Sequence, residues 1–216
     1  MRVGKGPAIV IFARHPTPGA VKTRLARDTG AAAAAHFYRI CAEHVIRQAL
    51  RSGYKCCLYY SVAEEEEAVK SWLAPLGQGL TFQPQLATGT LGDRMYHAMA
   101  LRLALDHDKV LIIGTDVPDL HQGIIAQALA ALDDHQVVFG PAEDGGYYLL
   151  GVTALPERLF DAIQWSTSSV LQSNLANAQR LGLTVAPLST LPILADIDTV
   201  VDLEREHRST QSMVGM

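Results

Sequence analysis

Short, nearly unbroken apolar runs recur along this chain, and stretches of helical periodicity lie between most of them. Residues 8–14 read AIVIFAR and residues 109–116 read KVLIIGTD. A strand wetted on one face alternates apolar and polar residues, so an unbroken run marks a strand covered on both faces. Further strands are expected at 54–61, 80–85, 136–142, 145–152 and 183–189. Helices are expected at 29–53, 64–74, from the turn at 88–95 to about His107, at 124–132, 156–163 and 168–181, and from 196 to 206. This alternation predicts an α/β fold: a Rossmann-like three-layer α/β/α sandwich around a mostly parallel central sheet.

Local chemistry refines several elements. Pro84 lacks a backbone donor, which places 80–85 near a sheet edge. In the long helix, Phe37, Ile40, Cys41, Val45 and Ala49 are expected on the inner face. Glu64 to Glu67 read as a solvated helix start, where the macrodipole favours carboxylates. Tyr147 and Tyr148 alternate faces, so at least one belongs to the core. The same logic sends the adjacent Cys56 and Cys57 to opposite faces.

The length of 216 residues suits one domain over 1–207, followed by a polar tail at 208–216. Hydrophobic residues make up 49%, enough for a sizeable core. A net charge of -4 argues against a nucleic-acid partner, which calls for a basic excess. No apolar run approaches the roughly 20 residues of a membrane span. The first residues make a poor signal peptide, because charge returns at Arg14; a buried first strand fits better. Cys41, Cys56 and Cys57 form neither a disulfide framework nor a zinc pattern and suit a reducing cytoplasm. The eight histidines show no zinc-ligand spacing.

In a parallel sheet, ligands bind beyond the carboxyl ends of the strands. Four segments fall there: 14–24, 115–119, 142–146 and 196–199. The first, within HPTPGAVKTR, looks like a phosphate loop. A nucleotide-wrapping loop of the kinase type needs glycine directly before Lys-Thr, and Val21 stands in that place. Arg14, Gly19, Lys22 and Arg24 remain suited to a diphosphate, through charge-assisted hydrogen bonds around a glycine turn. In VLIIGTDVPDL, Asp116 emerges from a buried strand and is placed to take a hard divalent cation. Asp119 reads as a cap for the next helix. Glu143 and Asp144 are either turn formers or a general base for an acceptor hydroxyl. Asp198 or Thr199 reads as a helix cap, and so does Ser166 or Thr167 beside a packed Trp165.

Six stretches in order, IFARHPTPGAVKTRLA, GTLGDRM, IGTDVPDL, GPAEDGGYYLLG, IQWSTSSV and LADIDTVVDL, resemble the motifs of the DUF2064 group. These are bacterial glycosyltransferase-A-like proteins, some named as arsenosugar-biosynthesis glycosyltransferases. The resemblance runs from about residue 7 to 204. It implies a nucleotide-diphospho-sugar transferase fold whose first-strand loop grips the nucleotide, here Arg14, Gly19, Lys22 and Arg24. It also implies that Gly89, Thr90 and Arg94 line the nucleotide site. Asp116 matches the metal-binding acid after the fourth strand, and Asp198 resembles the second metal carboxylate of the nucleotidyltransferase branch. Pro118 stands where the second acid of an Asp-x-Asp pair would be. The TRL at 23–25 has no Gly-Gly before it and no Pro-Lys soon after, which disfavours nucleotidyl transfer. The implied activity is transfer from a nucleotide-activated donor, led by metal-dependent glycosyl transfer with Mg²⁺ or Mn²⁺. Nucleotidyl transfer with pyrophosphate release and a non-catalytic nucleotide-binding module are the alternatives. Acceptor and oligomeric state leave no mark in these residues.

Overall fold

The computed structural model describes residues 6–199 and Asp202. Its strands are β1 (Ala8–Ala13), β2 (Lys55–Tyr60), β3 (Leu80–Pro84), β4 (Val110–Ile113), β5 (Val137–Pro141) and β6 (Tyr147–Val152). Its helices are α1 (Thr23–Thr29), α2 (Ala31–Arg51), α3 (Glu66–Leu73), α4 (Leu91–Ala104), α5 (Gln122–Ala131) and α6 (Val170–Arg180). The strands form one sheet in the order β3-β2-β1-β4-β6-β5. The first four of these are parallel, and β6 runs antiparallel to both β4 and β5.

Both faces of the sheet are covered, as the unbroken apolar runs require. Ile9, Ile11, Cys56 and Leu111 pack under α2, α3 and α5. Val10, Cys57 and Ile112 pack under α4 and α6. The three-layer α/β/α sandwich follows directly. The two adjacent cysteines do part to opposite faces, and so do Tyr148 and Tyr147. Pro84 ends β3 at the sheet edge, where its missing N–H costs no ladder bond.

Several expectations are corrected. The inner face of α2 carries Ala34, Ala35, Tyr38, Ala42 and Ile46 beside Cys41, Val45 and Ala49, whereas Ile40 is 54% exposed and Phe37 half-buried. Small residues let the helix approach the sheet closely, and that outweighs the larger aliphatic. A separate helix, α1, precedes α2; Gly30 breaks the two apart with φ 86°. The expected helix at 156–163 is only a 3₁₀ turn, Glu157–Phe160. The expected strand at 183–189 is not a regular one. It touches β5 through Val185 opposite Val137, then departs at Pro187 into a 3₁₀ turn and returns at Leu194 opposite Ala142. Proline removes the donor that would continue the ladder.

Expected caps also shift. His121, not Asp119, caps α5, its Nδ1 accepting from the Gly123 N–H at 3.1 Å. Ser169, not Ser166 or Thr167, occupies the cap position of α6. The helix expected over 196–206 and the tail at 208–216 lie outside the described residues, save for residues 196–199 and Asp202. Thr199 and Asp202 exchange backbone-to-side-chain hydrogen bonds as a capping box does. No helix among the described residues is long and apolar enough to cross a membrane.

Candidate active site

The chain runs β1, β2, β3 outward on one side and then returns to place β4 on the other side of β1. The loops leaving β1 and β4 both lead to helices on one face of the sheet, α2 and α5, and they meet at the carboxyl edge, where ligands bind in such sheets. Lys22 comes from the first loop and Asp116 from the second. The return segment along β5 delivers Asp196 and Asp198 to the same edge, pinned by Leu194 N–H to Pro141 O and by Glu143 N–H to Leu194 O. Buried Ile197 anchors the two acids between them.

Lys22 Nζ lies 2.8 Å from Asp116 Oδ1 and 2.7 Å from Asp198 Oδ1. Its side chain is 3% exposed, while the two carboxylates are 50% and 36% exposed. Burial works against the ammonium, but the two carboxylates outweigh it and hold its pKa above the ordinary lysine value. Arg24 is largely exposed and reaches Asp198 at 3.8 Å. Asp196 is pushed up by its own burial and then by Asp198 and Asp144. The site thus gathers Lys22, Arg24, Asp116, Asp144, Asp196 and Asp198.

Lys22 itself is left-handed, with φ 45° and ψ 48°, at the N-cap of α1. Val21 before it is buried in the core, so an apolar side chain anchors the loop. Gly19 supplies a positive φ of 83° at an exposed turn with open space around it. Arg14 is exposed, and its backbone N–H is held by the Tyr38 hydroxyl at 2.9 Å.

That hydroxyl begins a buried relay absent from the expected site. Tyr38 Oη accepts from Arg14 N–H and sits 3.0 Å from Thr115 Oγ1, which donates to Phe12 O. With Thr115 donating onward, the phenol donates to Thr115. The relay ties α2 to the ends of both β1 and β4, next to Asp116. Burial, and then the charge of Asp116, push the Tyr38 phenol up to about 12. The only sequence signal for Tyr38 is its spacing from Ala34, Ala35, Cys41, Ala42 and Val45 on one helical face.

The other predicted residues lie at the start of α4 and in the β5–β6 turn. Thr90 caps α4 in a capping box with Asp93, whose carboxyl is held low by the Thr90 N–H and hydroxyl. Gly89 precedes it with φ 92°, and Arg94 reaches the Gly89 carbonyl at 3.5 Å. Their side-chain hydrogen bonds among the described residues stay within residues 89–94. Asp144 accepts from the Gly146 N–H at 2.8 Å, so it shapes the β5–β6 turn while standing near Asp196. Glu143 is exposed beside it. A cavity of about 250 Å³ opens on the other side of the first loop, between His15, Pro18, Arg39 and Trp72, and no acidic residue lines it.

The donor set can be tested against a metal. Two carboxylate oxygens from separate loops converge on a single cation. Among the described residues no group of three or more His, Cys, Asp or Glu is placed to hold a metal ion. An all-protein cage is therefore not built here. Two carboxylates that leave the other positions to water and phosphate match how Mg²⁺ is held. The residues fit such an ion, at the point the ammonium now occupies.

Residues 45–167 match the model of a family described as "Uncharacterized protein conserved in bacteria (DUF2064)". Among solved structures, a protein from Desulfovibrio desulfuricans G20, provisionally assigned as a nucleotide-diphospho-sugar transferase, matches with a TM-score of 0.86 and 33% identity. The match covers 94% of this chain and 87% of that one. The 4-diphosphocytidyl-2C-methyl-D-erythritol synthase from Anaerococcus prevotii DSM 20548 matches at TM-score 0.59 and 11% identity, over 97% of this chain and all 100% of that one. CMP:2-keto-3-deoxy-manno-octonic acid synthetase, solved with CTP, matches at TM-score 0.58 and 14% identity, over 97% and 100%. At such identities these two show the fold alone. No curated protein matches the chain. The fold is that of the nucleotide-diphospho-sugar transferases, and the chain belongs to the DUF2064 family.

Proposed function

We propose that the protein transfers a glycosyl group from a nucleotide-diphospho-sugar to an acceptor hydroxyl. The observation that carries this reading is the Lys22 ammonium shared by Asp116 and Asp198 where the β1 and β4 loops meet. A diphosphate needs cations and a divalent ion at one place, and this is the place where the fold gathers both signs of charge. The Desulfovibrio relative supports the donor class.

In this reading Asp116 and Asp198 would hold Mg²⁺ or Mn²⁺, which would supply charge neutralisation for the leaving diphosphate. Lys22 and Arg24 bind the donor phosphates, with Arg14 and the Gly19 turn bordering them. Gly89, Thr90 and Arg94, at the start of α4, border the nucleoside. Asp144 is oriented by the Gly146 N–H, and it or Glu143 takes the proton from the acceptor hydroxyl. The acceptor oxygen bonds to the anomeric carbon, the bond from that carbon to the phosphate oxygen breaks, and the nucleoside diphosphate leaves with the electron pair. Buried thiols at Cys56 and Cys57 suit work in a reducing cytoplasm.

Nucleotidyl transfer is the second reading, favoured by Asp198 joining Asp116 from a late loop. A panel of nucleotide sugars and of nucleoside triphosphates with sugar phosphates, each with Mn²⁺, separates the two. Nucleoside diphosphate release supports glycosyl transfer, and pyrophosphate release supports nucleotidyl transfer. Failure of every nucleotide to bind in calorimetry would overturn both.

A further inference from the structure

We propose that Lys22 is the site's own counter-ion, which holds the common point of Asp116 and Asp198 until donor phosphates receive its ammonium, so that divalent-cation binding is conditional on the nucleotide. This deepens the donor-site reading above and rests on it.

The exclusion is geometric. Asp116 Oδ1 and Asp198 Oδ1 both contact Nζ, at 2.8 and 2.7 Å. A divalent ion placed on the same two oxygens would stand against the ammonium, and two cations in contact repel strongly where solvent screening is weak. One of them must leave. The ammonium cannot simply be abandoned there, because its side chain is 3% exposed and a buried charge stripped of its partners is costly. It needs another anion, and a donor diphosphate entering the site supplies one.

The chain around Lys22 permits such an exchange. Val21 is fixed in the core, so the backbone stays anchored while the four-carbon side chain swings. Lys22 is held left-handed, a conformation that lysine disfavours, and its side chain makes no capping bond to α1. Its carbonyl accepts from the Ala26 N–H at 2.9 Å, which keeps the backbone in place, and beyond the two ion pairs no local side-chain bond opposes the departure of the ammonium. Arg24, 70% exposed and 3.8 Å from Asp198, stays near as a second phosphate ligand.

The test titrates Mn²⁺ alone into the wild-type protein, Lys22→Met and Lys22→Gln, followed by electron paramagnetic resonance and calorimetry. Circular dichroism checks that the variants fold, and two variants guard against one failing to. About tenfold tighter Mn²⁺ binding is expected in the folded variants than in wild type. Asp116→Asn added to either variant should abolish the gain, which locates the ion. UDP, GDP or CDP should tighten Mn²⁺ binding by a larger factor in wild type than in the variants, where the diphosphate still ligates the ion but no ammonium has to move. Equal Mn²⁺ affinity in wild type and variants overturns the exchange even where nucleotide binds. Tighter Mn²⁺ binding in the variants with no nucleotide bound by any protein would leave the counter-ion in place and overturn the donor-site reading instead.

Discussion

Lys22 and Asp198 are 176 residues apart in sequence, and their side chains meet at 2.7 Å beside the β1 and β4 loops. The contact closes the far end of the described chain onto its first loop. It also makes each partner's removal informative. Asp198→Asn leaves a nearly buried ammonium with Asp116 alone and strips Arg24 of its acid. Asp198 is 36% exposed, so screening trims the cost to about 1–2 kcal/mol. Urea unfolding should show that loss. Turnover of any accepted donor should fall by on the order of 10²-fold, the scale of losing one charge-stabilising group. Wild-type turnover in Asp198→Asn would remove this carboxylate from the active site.

Thr90 was expected beside the nucleotide, and its side chain is committed to the start of α4. Thr90→Ala removes a capping box and should lower the melting temperature by roughly 2–4 °C. Thr90→Ser keeps the cap and should melt as wild type does. If Thr90→Ala leaves nucleotide affinity intact while Tm drops, the residue is a cap alone. An affinity loss shared by Thr90→Ser, with Tm unchanged, would set the threonine methyl against the ligand.

The fold is legible because β1 and β4 are written as unbroken apolar runs and Pro84 marks an edge. Helix register is less legible. Ile40 outranks Ala42 in hydropathy, yet α2 lies close to the sheet and the small side chain faces inward. The late segment 183–189 has strand-like apolar residues, but Pro187 breaks its pairing with β5. The individual site residues Lys22, Asp116 and Asp198 stand out locally, each at the end of an element. Their meeting does not, since no local pattern encodes a contact across 176 residues. Tyr38 is hidden for a different reason: a tyrosine inside a helix reads as packing, and only the ends of β1 and β4 reveal what its hydroxyl holds.

Two glycines with similar backbones should respond differently to alanine. Gly19 and Gly145 both have positive φ, 83° and 88°. An added Cβ at Gly19 meets open space, so Gly19→Ala should cost only about 1 kcal/mol, the penalty of the left-handed backbone. At Gly145 the Cβ would collide with the Ser168 carbonyl oxygen. The β5–β6 turn, which carries Asp144, is packed against the approach to α6, and Leu171 N–H bonds the Gly145 carbonyl there. Backbone cannot yield as a side-chain tip does, so Gly145→Ala should cost about 3 kcal/mol or more. Chemical denaturation of both variants checks the contrast, and equal costs would count against that packing.

Alkaline titration should expose the Tyr38 relay. The phenol's folded pKa is about 12 against an ordinary 10.0, because burial and the nearby Asp116 disfavour the phenolate. A raised pKa contributes stability that is complete below pH 10 and is lost as pH rises from about 10 to 12. Two pH units correspond to on the order of 2–3 kcal/mol. Tyr38→Phe removes that dependence, and it also leaves the Arg14 N–H and Thr115 Oγ1 without their phenol partner. Near pH 8 the variant should therefore be less stable than wild type by about 1–3 kcal/mol. Between pH 10 and 12 wild type loses stability that the variant never had, so the gap should shrink. Tyr147 and Tyr148 are raised as well, but they titrate alike in both proteins and cancel in the difference. Urea unfolding at stepped pH measures the gap, and a constant gap across that window would mean the phenol is not held as the relay requires.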